Sequence, residues 1–537
     1  MTGALEVTAT GAAADAISRH VPALVADRFA SRLFEKDPTL WGPDAEPEAS
    51  VRLGWVGLHR TSRPLLGEVR ALRGELAEQG LDHVVLCGMG GSSLAPEVIC
   101  ATAGVAITVL DSSDPDQVRA ALTDRLDRTV VVVSSKSGST VETDSQKRVY
   151  EQAFRDAGIH PAERIIIVTD PGSPLDKASR EAGYRVVNAD PHVGGRYSAL
   201  TAFGLVPSGL AGVDIEALID DADTVADLLA DDDEANPALR LGAAIAGTAP
   251  LRDKLAIVDD GSPLKGFADW AEQLIAESTG KNTTGILPVV VAGPEDPEIR
   301  WPAPDVTVAR LVADGDDDAS PSDRSEVQVA GSIGAQLLLW ETATAVAGHL
   351  LGINPFDQPD VESAKQAARA VLEGTPDPEP AAFVAGPVEV RAHGDFLAEA
   401  TTVAEAVQAL LGQLDPERGY VAVMAYLDRL AHPSLAEVRR SLALRTERPT
   451  TFGWGPRFLH STGQFHKGGP REGVYLQITG APAEDLAIPG RPFSLGQFIA
   501  AQASGDAQVL ADHGRPVLRL HLTDQAAGLP VVVEALS

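Results

Sequence analysis

The stretch TVVVVSSKSGSTVET at positions 129–143 decides the fold, because it joins a buried strand to the start of a helix. Its four successive valines predict a strand of a parallel sheet that is covered on both faces. The turn that follows offers hydroxyl and backbone N–H groups where a helix begins, which favours phosphate binding. Ser135, Ser137 and Thr140 can donate hydrogen bonds, and Lys136 adds a positive charge. The stretch therefore predicts a phosphate-binding turn, with an ordinary serine-rich turn as the alternative.

Four more apolar runs, at 83–86, 107–111, 164–168 and 185–189, surround this stretch and alternate with helical patterns. Strands joined by crossover helices predict a doubly wound parallel sheet. The first run leads into GMGGSS at 88–93. Ligands of such sheets lie at the carboxyl ends of the strands, so we expect both turns to face one crevice.

A second region in which predicted strands alternate with predicted helices follows. A stretch rich in proline and glutamate at 374–383 separates this region from a third, smaller region of the same kind. The sequence therefore predicts an α/β protein with several domains. We expect residues 1–50 to form a helical cover, and residues 51–205 and 206–376 to form two doubly wound domains. We expect residues 377–537 to form a smaller C-terminal α/β domain.

Composition excludes several classes of protein. The chain has 537 residues, too many for one core, and its net charge of −32 would repel nucleic acid and anionic lipid. It has no apolar run of membrane-spanning length and no signal-like N-terminus, so we expect neither a membrane protein nor a secreted one. Two cysteines, Cys87 and Cys100, cannot form a disulfide framework and lack metal-ligand spacing. We expect a cytoplasmic protein.

Three further segments carry reactive side chains. AEQLIAESTGK at 271–281 places Gln273 and Glu277 on one face of a helix. Arg196 follows a pair of glycines, and HSTGQFHKGGP at 460–470 contains two histidines. Each segment also has an ordinary interpretation. Glu277 could be an exposed helical glutamate, Arg196 a surface arginine, and residues 460–470 a polar loop that packs between domains.

Taken together, five segments resemble, in the same order, the signature segments of the glucose-6-phosphate isomerase family. These are GMGGSSLAPE (88–97), SSKSGSTVET (134–143), GGRYSALTAFGL (194–205), EQLIAESTGKNTTGILPV (272–289) and INPFDQPDVESAK (353–365). The resemblance implies two doubly wound sugar-isomerase (SIS) domains. The 460–470 segment resembles the branch related to the isomerase half of transaldolase fusions, although no transaldolase barrel fits before the first strand.

The resemblance also implies the roles of individual residues. It assigns phosphate binding to two turns, represented by Gly91, Ser92, Ser135, Lys136, Ser137 and Thr140. Glu277 matches the carboxylate base that moves a proton between C1 and C2, and Gln273 matches a glutamine that contacts substrate. Arg196 matches the arginine that stabilises the enediolate, and Lys365 matches a lysine implicated in ring opening. The resemblance implies neither a cofactor nor a metal.

One element of the family is missing. The histidine that helps to open the pyranose ring should follow the catalytic glutamate, but no histidine occurs between Glu277 and His349. His466, from the third domain, is the preferred substitute, because its glycine-flanked segment is typical of a loop that closes over an anion. His349 is the second choice, although its setting predicts a buried helix.

The preferred function is aldose-ketose isomerisation of glucose 6-phosphate and fructose 6-phosphate through an enediol(ate), by a homodimer. The alternatives are a non-catalytic sugar-phosphate sensor and an isomerase that also accepts mannose 6-phosphate. Retention of Arg196, Gln273, Glu277 and Lys365 together favours the enzyme, because a sensor needs only the phosphate turns.

Overall fold

The structure is a computed structural model, and it describes residues 5–313, 323–359 and 379–537. The helix predicted at 360–374, and Lys365 within it, lie outside the described residues. The strands, in chain order, are β1 (Glu6–Thr10), β2 (His83–Gly88), β3 (Thr108–Leu110), β4 (Thr129–Ser134), β5 (Ile165–Thr169), β6 (Arg185–Asn188), β7 (Lys254–Asp259), β8 (Leu287–Val290), β9 (Val306–Leu311), β10 (Glu326–Ala330), β11 (Phe383–Ala385), β12 (Val388–His393), β13 (Tyr420–Tyr426), β14 (Thr450–Trp454), β15 (Gly473–Gly480) and β16 (Val517–Leu522).

The α-helices connect and cover these strands. They are α1 (Gly11–Ala26), α2 (Phe29–Phe34), α3 (Glu46–Arg52), α4 (Leu58–Thr61), α5 (Arg63–Glu78), α6 (Leu94–Thr102), α7 (Pro115–Thr123), α8 (Val141–Asp156), α9 (Pro174–Glu181), α10 (Ala202–Ala211), α11 (Ile215–Ala230), α12 (Pro237–Ala246), α13 (Phe267–Thr279), α14 (Pro297–Arg300), α15 (Ile333–Leu351), α16 (Val403–Leu411), α17 (Val438–Thr446), α18 (Gly463–Gly468), α19 (Leu495–Asp512) and α20 (Gln525–Leu536). No helix in the described ranges is long and apolar enough to cross a membrane.

The first sheet has the order β3-β2-β4-β5-β6, and all its strands are parallel. Every residue of β2 and β4 is buried, as their unbroken apolar runs predict for strands covered on both faces. Gly88 at the end of β2 pairs with Ser134 at the end of β4. The two predicted phosphate turns therefore leave neighbouring strands at the same edge of the sheet.

The second sheet has the order β1-β10-β9-β7-β8. It is parallel except for β1, which pairs antiparallel with β10 and forms an edge. Its parallel strands confirm a second doubly wound sheet. Residues 1–50, which we interpreted as a helical cover, also contain the unpredicted strand β1, which pairs with a strand more than 300 residues away. A five-residue strand whose pairing partner is so distant in the sequence is difficult to predict from the local sequence pattern.

The third sheet has the order β11-β12-β16-β15-β13-β14. Its strands β13 to β16 are parallel, and β11 and β12 add an antiparallel edge. This sheet confirms an additional α/β unit at the C-terminal end. Three of its strands, β11, β12 and β14, escaped prediction because they are short or polar on one face. The domain boundaries at residues 50, 205 and 376 stay a prediction.

The third sheet packs on the second. The buried side chains of Tyr420 and Met424 on β13 join Val258 and Val289 of the second sheet in one apolar cluster. The N-terminal helices, the first sheet and α15 share a larger cluster. This packing brings the loops at the carboxyl ends of β13 and β14 against the first sheet, where the candidate site lies.

Candidate active site

The first turn, between β2 and α6, lies against the segment that carries Arg196. Gly90 has a positive φ of 55°, which favours glycine. A Cβ added to Gly91 would lie 1.9 Å from the carbonyl oxygen of Gly195. Only glycine fits at such a backbone contact, so Gly91 allows the turn and the Gly195–Tyr197 segment to touch. Ser92, at the end of the turn, is half-buried.

The second turn leads from β4 into α8. Ser135 Oγ accepts a hydrogen bond from the Gly138 N–H at 3.1 Å and lies 3.4 Å from Thr140 Oγ1. Gly138 has a φ of 79°, and Thr140 precedes α8 without capping it through its side chain. The first N–H groups of α8 therefore point into the turn, where the positive end of the helix dipole favours an anion. Ser137 is exposed beside them.

Lys136 is held beside this turn by an ion pair and two backbone contacts. Its ammonium group pairs with Asp170 at 2.6 Å and donates to the carbonyl oxygens of Pro191 and Val193. Burial raises the pKa of Asp170, although Lys136 opposes that shift. The lysine thus supplies a positive charge to the turn while tying it to the segment that leads to Arg196.

Helix α13 supplies Gln273 and Glu277 one turn apart, and both are buried. Glu277 Oε2 lies 3.4 Å from a guanidinium nitrogen of Arg196, and the two side chains are 9% and 2% exposed. A Cβ on Gly90 would lie 2.7 Å from Gln273 Nε2, so this amide touches the first turn. Gln273 Oε1 has no hydrogen-bond partner among the described residues. Gln273, Glu277, Arg196 and the first turn therefore meet in one crevice.

Arg196 is held by more than the ion pair. It donates to four further acceptors, namely Ser278 Oγ at 2.9 Å, Gln358 Oε1 at 2.5 Å, and the carbonyl oxygens of Pro355 at 2.7 Å and Asp357 at 2.9 Å. These contacts fix the guanidinium plane beside the carboxylate. A buried charge held this way can stabilise negative charge without first reorganising.

Lys281 is a site residue that sequence reasoning missed. It is 2% exposed and donates to the carbonyl oxygens of Asn354 and Asp357 and to the Asp357 carboxylate. Burial, together with the nearby charge of Arg196, lowers the pKa of Lys281 to about 8 against the opposing effect of Asp357. The available signal was its place at the end of AESTGK, one turn after Glu277. Lys281 and Arg196 both hold residues 354–358 against α13.

The structure does not bring His466 to these residues. His466 lies on α18 and is 2% exposed, with its ring stacked on Tyr420 and edge-on to Tyr475. Neither ring nitrogen has a hydrogen-bond partner in the described chain. Burial, followed by the nearby positive charges of Lys467 and Arg515, lowers the pKa of His466 well below its usual value. The prediction of an open loop at His466 was therefore wrong, because the segment folds into the core of the third sheet.

The second-choice histidine also lies elsewhere. His349 Nδ1 lies 2.7 Å from the carbonyl oxygen of Leu40, and its ring contacts Phe29. It packs α15 against the N-terminal helices. Lys365 lies outside the described residues, so its predicted role stays a prediction.

A different histidine of the 460–470 segment reaches the crevice. His460 ends the helical turn after β14, and its Nε2 lies 3.1 Å from Glu142 Oε1 in the first turn of α8. A Cβ on Gly90 would lie 3.1 Å from His460 Cβ. His460 therefore stands between the two phosphate turns and beside Gln273.

Buried ion pairs anchor the loop that carries His460. Arg457 pairs with Glu97 at 2.5 Å and with Asp111 at 2.8 Å, and Arg429 pairs with Glu97 at 2.8 Å. Burial alone would raise the pKa of Glu97, but the two guanidinium groups outweigh it and hold this pKa at about 2.

Next to Gln273, burial and the charge of Asp269 raise the pKa of Glu272 to about 8.

The crevice thus combines the two turns that are predicted to bind phosphate with a buried carboxylate, a fixed guanidinium and a histidine. These groups suit proton transfer on a phosphorylated substrate. No group of three or more His, Cys, Asp or Glu within the described ranges could hold a metal ion.

Comparison with protein families and with curated proteins gives consistent results. The family model described as phosphoglucose isomerase matches residues 62–289. A protein of Haloarcula marismortui named probable glucose-6-phosphate isomerase is 30% identical over 350 residues, which cover 55% of this chain and 78% of the relative. A protein of Natronomonas pharaonis with the same name is 31% identical over 344 residues, covering 55% of this chain and 79% of the relative.

Solved structures share the architecture. A hypothetical protein from Thermus thermophilus aligns with a TM-score of 0.57 at 25% identity, covering 69% of this chain and all of the other. A glucose-6-phosphate isomerase from Chlamydia trachomatis aligns with a TM-score of 0.51 at 21% identity, covering 64% of this chain and 78% of the other. The second likeness supports the fold alone.

Proposed function

The chain belongs to the phosphoglucose isomerase family, and from this we propose that it interconverts glucose 6-phosphate and fructose 6-phosphate. The observation that carries the proposal is the buried pair of Glu277 and Arg196 beside two anion-binding turns. A carboxylate that moves a proton and a cation that stabilises the resulting oxyanion are the groups this isomerisation requires.

The phosphate binds first. The N–H groups at the start of α8, with the hydroxyls of Ser135, Ser137 and Thr140 and the charge of Lys136, hold its oxygens. Gly91 and Ser92, in the adjacent turn, complete this site. With the phosphate fixed here, the other end of the open-chain sugar extends toward α13.

Glu277 then removes the proton from C2 of the aldose, and the C1 oxygen gains negative charge as the enediolate forms. Arg196, held in place by its neighbours, stabilises that charge. Glu277 returns the proton to C1 while a proton passes from the C2 hydroxyl to the C1 oxygen, which gives the ketose. Gln273 contacts the substrate through its unpartnered carbonyl oxygen, and Lys365 assists ring opening.

We extend the proposal to the setting of the reaction. The enzyme acts as a homodimer in the cytoplasm, in keeping with the resemblance and with Cys87 and Cys100, which are both buried and free. The relatives named above carry the isomerase name, so they do not favour a sensor that lacks catalysis.

A coupled assay that follows fructose 6-phosphate formation tests the function. With glucose 6-phosphate and no added metal, we expect turnover within the ordinary range for enzymes, roughly 1 to 1,000 per second. Mannose 6-phosphate, run in parallel, measures the breadth of specificity. Binding of glucose 6-phosphate without turnover would favour the sensor instead.

A further inference from the structure

We infer that Lys281 is a positioning residue for the isomerisation, because its ammonium group holds the 354–358 segment to which Arg196 is also bound. The inference rests on the proposed function and adds a residue that the steps above do not use. Arg196 lies 3.4 Å from Glu277, so a displaced segment would disturb the pair that carries the reaction. Lys281 thus acts through Arg196, without touching the substrate.

Lys281 and Arg196 bind the same stretch of backbone. Arg196 donates to the carbonyl oxygens of Pro355 at 2.7 Å and Asp357 at 2.9 Å. Lys281 donates to the carbonyl oxygens of Asn354 at 2.8 Å and Asp357 at 2.6 Å. The Asp357 carbonyl oxygen, which has two lone pairs, therefore accepts from both cations. Any movement of this segment moves two of the acceptors that hold Arg196.

The contacts of Lys281 use all the protons of its ammonium group. Besides the two carbonyl oxygens, Lys281 Nζ donates to Asp357 Oδ1 at 2.6 Å. A protonated lysine has three N–H donors, whereas the neutral amine has two and a lone pair. Loss of the proton therefore removes one of three hydrogen bonds and the ion pair with Asp357. The attachment of the 354–358 segment thus depends on the charge of Lys281.

Three charged groups face Lys281. Burial lowers its pKa most and the charge of Arg196 lowers it further, while Asp357 and Glu277 oppose these effects. The resulting pKa of about 8 is far below the ordinary value of 10.5. The positioning contacts should therefore weaken as the pH rises through 8, because the amine loses its charge there.

Other titratable side chains lie on the elements packed around Lys281. Burial raises the pKa of Tyr197 to about 12 and holds the pKa of His466, on α18, well below its usual value. Lys467, also on α18, has an ion pair of its own. Glu272, earlier on α13, has a raised pKa of about 8. A test of Lys281 must therefore compare variants, since the wild-type pH profile also contains the titration of Glu272.

Lys281→Met tests the positioning role, because methionine keeps most of the side-chain length but cannot hold the segment. We expect kcat for glucose 6-phosphate to fall about a hundredfold, as a displacement of roughly 1 Å in an active site can cause. KM should stay within about threefold, because the two phosphate turns are unchanged. The matched control is Lys177→Met, an exposed lysine on α9, which should leave kcat unchanged.

The dependence of kcat on pH tests the role of the charge. In the wild type, we expect kcat to fall as the pH rises through about 8. Lys281→Arg stays protonated throughout this range, so the fall should move upward by at least about one pH unit. Asp357→Asn removes a charge that raises the pKa of Lys281, so the fall should move to lower pH. A lysine that served only for packing would not shift the profile in opposite directions.

The outcomes separate this inference from the proposed function. If the wild type does not isomerise glucose 6-phosphate, the proposed function fails. Deuterium exchange then still tests the segment, because the Phe356 N–H donates to Asn354 Oδ1 within it. This amide should exchange faster in Lys281→Met than in the wild type or in Lys177→Met, and equal exchange would overturn the inference.

If the wild type does isomerise, two results would overturn the inference. One is a kcat of Lys281→Met within about threefold of the wild type. The other is a fall in kcat that stays near pH 8 in Lys281→Arg, which would assign the fall to Glu272. If Lys281→Met does not fold, the pH profiles of Lys281→Arg and Asp357→Asn decide. A large loss of kcat together with the two opposite shifts supports the inference.

Discussion

Glu277 lies beside the guanidinium group of Arg196, and the residues around Arg196 hold that group in place. Arg196 has four acceptors besides the glutamate, so its position does not depend on the ion pair alone. The family resemblance predicts the roles of Gln273, Glu277 and Arg196, which stay predictions, and the structure brings the three side chains together. The places of Lys281 and His460 could not be predicted, because their burial and direction depend on distant segments. In the 460–470 segment, sequence alone does not show which of two histidines faces the crevice.

The hydroxyls of the second turn lead to a prediction at this scale. Replacing both Ser135 and Thr140 by alanine should raise the KM for glucose 6-phosphate at least about a hundredfold, because each hydrogen bond to a charged group contributes about 1.5 to 3 kcal/mol. Steady-state kinetics on the double variant measures the effect. Ser50→Ala, an exposed serine on α3, is the control. An unchanged KM would place the phosphate elsewhere.

Among the elements, α13 packs against parts of all three α/β units, namely α6, β8 and α18. It carries Gln273 and Glu277, and α18 closes over its end, where a Cβ on Gly280 would lie 2.5 Å from Phe465 Cα. Most strands and helices could be predicted, because valine-rich runs and helical periodicity are local signals. The edge strand β1 could not, since its pairing with β10 is non-local.

The raised pKa of Glu272 gives a prediction about pH and stability. Its pKa is about 8 in the folded protein against an ordinary value of 4.5, so the folded state binds more protons between these values. The neutral Glu272 carboxyl group therefore makes its full contribution to stability below about pH 4.5, and this contribution is lost as the pH rises toward 8. Glu272→Gln, which stays neutral, should gain stability relative to the wild type over that window.

Urea unfolding at several pH values measures this difference, which should change by at most about 1.4 kcal/mol per pH unit. Glu417→Gln, an exposed glutamate in the third unit, is the control. A stability difference that does not change between pH 5 and 8 would show that Glu272 is ionised throughout.

At the scale of the whole molecule, the chain contains a third sheet, of an α/β unit, besides the two doubly wound sheets. Through the loop after β14, this sheet delivers His460 and Arg457 to the first domain within a single chain. The number of α/β units could be predicted from the alternating pattern. Their mutual packing could not, because it depends on buried ion pairs such as Arg457 with Glu97 and Asp111.

Assembly yields a prediction at this scale. We expect sedimentation equilibrium to give twice the chain mass of 56.1 kDa. With a net charge of −32 on each chain, the protomers repel each other, so the dimer should tighten as salt rises from low to physiological concentration. A fully active monomer under assay conditions would contradict the homodimer.

The central claim is that Glu277 moves the proton between C2 and C1. The most direct measurement compares Glu277→Gln with the wild type in the coupled isomerase assay and in calorimetric binding of glucose 6-phosphate. The amide keeps the shape of the side chain, and Arg196 keeps its other acceptors. We predict that turnover falls about a hundredfold to ten-thousandfold while binding stays nearly intact. Turnover within about threefold of the wild type would contradict the account.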